Sequence, residues 1–139
     1  IEIGSFIYLS SEFVGSYIHA GNKIASIVGL SKKFDNASEV AKDISMQVAA
    51  MNPVALNEDG VSQDIIEKEI EIAKDQLRQE GKPEEMLDNI AKGKLKKFFK
   101  ENTLVNQQFI KDSKQSISDY LKSQSENAEV TGFSRVGLV

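Results

Sequence analysis

His19 is the only histidine in the chain and so the first residue to be tested for chemistry. As a general base it would need an orienting carboxylate, and Glu12 is the nearest acidic residue in sequence. Nothing in their spacing brings the two together. A histidine at a strand end beside a turn ordinarily serves as a solvent-edge hydrogen-bonding group, with partner contact as the second reading and catalysis as the third. Carboxylates concentrate at Asp64, Glu67, Glu69, Glu71, Asp75, Glu84, Glu85 and Asp88. A two-metal helical site would need Glu-x-x-His pairs, and no histidine falls there. Their spacing to cations instead suits solvated helix faces. Asp64–Lys68 and Asp88–Lys92 have the favourable i,i+4 order and Asp75–Arg78 the i,i+3 order, each pair contributing only about 0.2–0.5 kcal/mol.

Lys92, Lys94, Lys96, Lys97 and Lys100 form a third cluster. At the end of a helix such cations complement the dipole, and the alternative is docking of an acidic partner or RNA phosphates. The interleaved Leu95, Phe98 and Phe99 continue an apolar seam, which makes them core rather than base-stacking platforms. Gly29, Gly60, Gly81 and Gly93 stand alone, with neither a phosphate-binding glycine loop nor a G-x-S-x-G elbow. The residues therefore lead to no expected catalytic residue, cofactor or metal, and to a protein that is not an enzyme.

The elements that would position these groups follow from length and patterning. At 139 residues, 40% hydrophobic and 27% charged, the chain is one soluble globular domain, or one with an appendage. No apolar run approaches the roughly 20 residues of a membrane span. There is no initiator Met and no signal pattern, and the abrupt start at Ile1-Glu2-Ile3 reads as a fragment of a longer protein. The absence of cysteine removes disulfides and thiolate chemistry, in keeping with a reducing cytosol. A net charge of −4 argues against general nucleic-acid binding.

Glu12 to His19 alternates, with Val14, Ser16 and Ile18 on one face and Phe13, Gly15, Tyr17 and His19 on the other. Ala20-Gly21-Asn22 is a turn signal, and Asn22 to Leu30 supplies the antiparallel partner strand. Ile3 to Leu9 is a further segment, strand or loop. Asn36-Ala37-Ser38-Glu39 has capping-box spacing, and Val40, Ile44, Val48 and Met51 then recur at helical intervals until Pro53. Ser62 is placed to cap a second helix, with Val61 and Ile66 as a hydrophobic staple. Ile66, Ile70, Ala73 and Leu77 form a coiled-coil seam, answered by Leu87, Ala91, Leu95 and Phe98. Between them Gly81-Lys82-Pro83 stops one helix and starts the next, with proline in its first turn. Two helices of about 20 residues so joined must run antiparallel and project about 30 Å. Beyond a Leu104–Phe109 loop, Ser116-Ile117-Ser118-Asp119 is another capping box, followed by apolar Ile117, Tyr120 and Leu121. Ala128 to Leu138 closes as a strand, with Val130, Val136 and Leu138 on one face. The expected fold class is α+β: a small antiparallel sheet of about three strands with flanking helices and an inserted antiparallel helical hairpin. Residues 1–59 and 102–139 make a discontinuous core and 60–101 the coiled-coil insert.

Several stretches, in order, resemble the bacterial translation elongation factor Ts. They are Ser16-Tyr17-Ile18-His19 with Lys23-Ile24; Ile44-Ser45-Met46-Gln47-Val48-Ala49-Ala50 with Pro53; and Gly81-Lys82-Pro83, Gly93 and Lys97-Phe98, leading to Glu101, Leu104, Gln107, Phe109 and Asp112. Ala128-Glu129-Val130-Thr131-Gly132-Phe133-Ser134-Arg135 closes the series. Ala25-Ser26 and Val136 depart from the glycine and aromatic residues of the family pattern and put local strand packing in question. The resemblance implies a cytoplasmic guanine nucleotide exchange factor that binds the GTPase elongation factor Tu and promotes GDP release. It implies partner-binding roles for Tyr17, His19, Gly21, Asn22 and Met46, although the apolar rhythm around Met46 also suits core packing. Phe98, Leu104 and Phe109 would be structural anchors. The family's amino-terminal ubiquitin-associated-like domain, and its first core half with a Thr-Asp-Phe-Val motif, have no matching positions here. The expectation is a segment that docks with little exchange activity, without membrane or direct nucleic-acid contact. The alternatives are a self-associating module, including a homodimer, and RNA binding through the Lys92–Lys100 patch.

Overall fold

The alternation Phe13-Val14-Gly15-Ser16-Tyr17-Ile18 leaves an extended strand little choice about which residues go inward. The computed structural model describes residues 3–138, so the start at Ile1-Glu2 lies outside the described residues. Strand β1 (Phe13–Ile18) half-buries Phe13, Gly15 and Tyr17 and exposes Val14, Ser16 and Ile18. It pairs antiparallel with β2 (Ile24–Leu30), in register Gly15 with Val28 and Tyr17 with Ser26. Both strands are shorter than expected because His19 to Lys23 form the turn. Residues 3–11, which include the Ile3–Leu9 segment expected as strand or loop, hold no regular strand. Ser11 near their end is nevertheless fastened, its Oγ donating to the Leu30 carbonyl at 2.7 Å.

Helix α1 (Ala37–Met51) lies on the inner face of the sheet and buries Val40, Ala41, Ile44 and Val48 against Val28 and Leu30. Gly15 is required here, because a Cβ on it would collide with Ala41. The expected capping box at Asn36 does not form. Asn36 is the cap residue, but its backbone (φ −96°, ψ 15°) is not the extended form that aims a side-chain oxygen at the first-turn N–H groups, and its Nδ2 donates to Gln124 at 3.4 Å. Met51 also departs from expectation and is 47% exposed. It stands in the last turn, past Ala49, whose carbonyl accepts from Arg135 Nε.

Helices α2 (Gln63–Gln79) and α3 (Glu84–Asn102) pack on each other. Ser62, with an extended backbone, accepts from the Ile65 N–H. Gly81 adopts φ +77°, and its N–H and that of Lys82 satisfy the Arg78 and Leu77 carbonyls, a glycine-terminated helix end. Pro83 is the residue before α3 rather than within its first turn. Only Ala73, Leu77, Leu87 and Ala91 of the two seams are fully buried; Ile66, Ile70, Leu95 and Phe98 are half-buried. Asp75–Arg78 pairs at 2.9 Å as expected. Asp88 pairs instead across the hairpin with Lys74 at 2.6 Å, and Asp64–Lys68 forms no ion pair among the described residues. The interhelical partner is the closer cation, so it displaces Lys92.

The expected Leu104–Phe109 loop is more ordered than its pattern suggests. A 3-10 turn (Leu104–Asn106) leads into β3 (Gln108–Phe109), which pairs with β4 (Asp112–Ser116) as a two-stranded ribbon. Helix α4 (Ile117–Gln124) opens on the expected Ser116–Asp119 capping box. Strand β5 (Val130–Gly137) completes a sheet of order β1-β2-β5, all antiparallel. Leu138 falls past its end and is exposed. The fold is α+β, with one core joining Val28, Leu30 and the α1 face to Leu104, Phe109, Ile117, Leu121, Ala128 and Val130. Of the family departures, Ser26 is accommodated by donating Oγ to the Ser45 carbonyl, while Ala25 and Val136 face each other on the outer side of the sheet.

Candidate functional site

The tip of the β1–β2 hairpin projects polar and aromatic groups with few internal obligations. The His19 N–H donates to the Ile24 carbonyl at 2.8 Å, and the Asn22 N–H to the His19 carbonyl at 3.0 Å. Gly21 takes φ +88° at the third position of that turn, where a Cβ would be strained. The backbone is thus held while the side chains remain available. His19 and Asn22 are exposed and Tyr17 is half-buried. The Tyr17 hydroxyl lies 3.3 Å from His19 Nδ1, and the rings meet edge-on with centroids 6.1 Å apart.

Glu12 lies beyond the other end of β1, about 23 Å along an extended strand, so it does not orient His19. Among the described residues no three His, Cys, Asp or Glu side chains gather as a metal site would require. Met46 is half-buried on α1, next to Ser45, whose carbonyl holds Ser26, the cross-strand neighbour of Tyr17. Gly21 and Asn22 stay at the tip.

Leu104 and Phe109 are buried and Phe98 is half-buried. Lys94 reaches Gln76 at 3.4 Å and Lys97 sits 3.8 Å from Glu101. Lys92, Lys96 and Lys100 are exposed and make no ion pair among the described residues.

Sequence reasoning missed the groups that hold the ribbon to α1. Gln47 is fully buried; its Nε2 donates to the Gln108 carbonyl at 3.0 Å and its Oε1 accepts from the Ile110 N–H at 2.9 Å. One turn earlier, Asp43 accepts from Lys111 Nζ at 2.6 Å and from the Tyr120 hydroxyl at 2.7 Å. The Tyr120 ring stacks on Phe109 at 4.2 Å. Burial, and then the Asp43 carboxylate, push the Tyr120 phenol above its ordinary pKa. The available signal was two polar residues four apart, interleaved with the apolar face of α1. No helix among the described residues is long and apolar enough to cross a membrane.

Comparison with known proteins gives one family. The model described as "Elongation factor TS" matches residues 1–138. The elongation factor Ts of Christiangramia forsetii is 66% identical over 138 residues, covering 99% of this chain and 50% of the relative. That of Flavobacterium psychrophilum is 60% identical, and that of Porphyromonas gingivalis 45% identical, with the same coverage. The chain spans about half the length of the curated relatives it matches.

Proposed function

Because the chain belongs to the elongation factor Ts family, we propose that it is a docking segment of a cytoplasmic guanine nucleotide exchange factor. Its partner is the GTPase elongation factor Tu, whose GDP release the whole factor promotes. The observation that carries the docking role is the β1–β2 tip, whose turn is held by two backbone hydrogen bonds and whose His19 and Asn22 side chains are exposed. In this reading Tyr17, His19, Gly21, Asn22 and Met46 contact the GTPase. Phe98, Leu104 and Phe109 anchor the return of α3 to the core. Residues 1–59 and 102–139 act as one core unit and 60–101 as a coiled-coil insert.

Exchange needs no covalent step. A protein that binds the nucleotide-free GTPase more tightly than the GDP form must weaken GDP binding by the same factor. This chain spans half its relatives' length, and no residue in it matches the motif that reaches the nucleotide site in the family. It therefore docks with little exchange of its own.

Release of a fluorescent GDP analogue from elongation factor Tu, followed with binding in the same samples, tests this. Binding with little acceleration is expected, weakened by His19→Ala. Acceleration equal to that of the full-length factor would place the prying groups in these residues instead.

A second reading, self-association, is favoured by the outer sheet face. Val14, Ser16, Ile18, Ala25, Ile27, Ser134 and Val136 carry no charge, and Val14 and Ile18 are 39% and 63% exposed. Concentration-dependent dimers on sedimentation, without affinity for the GTPase, would select it.

A further inference from the structure

Helix α3 buries one seam against α2, at Leu87 and Ala91, and carries a second on its opposite side. Met86, Gly93 and Lys100 recur at heptad spacing, with Asn89 and Lys96 between them. All five residues are exposed. Helical periodicity turns this row roughly 170° away from the Leu87–Ala91 seam, so α2 does not cover it. Lys92, Lys96 and Lys100 rise along it about 6 Å apart. Among the described residues none of the three makes an ion pair within 4 Å, although Lys92 is near enough to Asp88 to act on its charge, in a chain whose net charge is −4.

Two further features of this face have no use within the chain. Gly93 is a poor residue for a helix interior, and nothing lies within 4 Å of where its Cβ would be, so internal packing does not require it. A bare backbone there lets another backbone come close. At the carboxyl end the row opens into a cleft of about 480 Å³ lined by Met51, Lys97, Lys100, Glu101, Gln107 and Gln108. Met51 is the α1 residue left out of the core.

We infer that this outer face of α3 is a docking surface for an acidic helix of another protein, seated over Gly93 with an apolar side chain in the Met51 cleft. Carboxylates on every fourth residue of such a helix repeat at the same rise of about 6 Å as the lysines. An RNA backbone fits less well. The face carries no arginine, and Phe98 and Phe99 are half-buried rather than presented for stacking. The surface is separate from the β1–β2 tip and does not depend on the exchange reading.

Fluorescence anisotropy tests the inference with the full chain and a labelled helical peptide of about five turns, bearing Glu at every fourth position and one terminal Leu. Saturable binding is expected, weakened roughly tenfold or more by Lys92→Gln, Lys96→Gln and Lys100→Gln together. Gly93→Leu should raise helicity and yet weaken binding by about the same factor, which separates docking from folding. Equal affinity for a scrambled peptide of the same composition would overturn the inference, as would unchanged affinity in either variant or no peptide binding. Tighter, lysine-dependent binding of an oligouridine would replace it with an RNA surface.

Discussion

At the residue scale the informative groups are polar ones placed where a core residue would otherwise stand. Gln47 is buried because its amide is used, joining α1 to β3 through Gln108 and to the β3–β4 turn through Ile110. Replacing it with leucine keeps the volume but strands those backbone groups. Gln47→Leu is expected to cost about 2–4 kcal/mol, read as a shift in the denaturation midpoint. Tyr120 gives a pH signature. Its pKa is raised on folding, so its contribution is complete below the unfolded value of about 10 and is lost as pH climbs toward the folded one. Stability should therefore fall on the alkaline side above about pH 10, and Tyr120→Phe should flatten that limb in thermal melts across pH. Asp43 and Gln47 were readable as an i,i+4 polar pair on an apolar helix face. Their partners, 60 or more residues away, were not, because local spacing carries no information about which distant loop returns.

At the element scale the hairpin is a thin structure. Two buried residues on each helix hold the seam, supplemented at its tip by Arg78–Glu84 at 2.7 Å and Lys74–Asp88 at 2.6 Å. The hydrogen bonds from Arg78 and Lys74 hold the Glu84 and Asp88 carboxyls below their ordinary range, but Arg78, Glu84 and Asp88 are well exposed and Lys74 half-buried, so the pairs add little. Apolar burial must supply most of the seam's stability. Leu87→Ala should therefore destabilise the hairpin by about 2–5 kcal/mol. In hydrogen exchange the amides of α2 and α3 should lose protection while those of β2 and β5 keep theirs. Equal loss in both would show that hairpin and sheet open as one unit. The helices themselves were legible from seam period, Ser62 and Gly81-Lys82-Pro83. The β3–β4 ribbon was not, because a two-residue strand is too short to show alternation.

At the scale of the whole molecule, the chain leaves and re-enters the core at one place. The Val54 N–H donates to the Asn102 carbonyl at 2.8 Å, Ala55 bridges Thr103, and the Leu104 N–H returns to Ala55 at 2.9 Å. The two feet of the hairpin thus stand side by side, and closing the gap with a few residues requires little strain. A chain in which a short Gly-Ser linker replaces residues 62–101 is expected to keep the dispersed NMR spectrum of the sheet and α1. Collapse to an unfolded spectrum would show that the core depends on the hairpin. The sequence by itself determined what periodicity and caps determine: the β1–β2 alternation, four helices, the hairpin stop and the family to which these segments in this order belong. The tertiary structure alone decided that Asn36 does not cap with its side chain, that Asp88 prefers Lys74 to Lys92, and that Met51 leaves the core to line a cleft. Each of these is a competition between a local partner and a distant one. Spacing along the chain describes only the local contestant, and the winner is set by which group the folded packing brings closer.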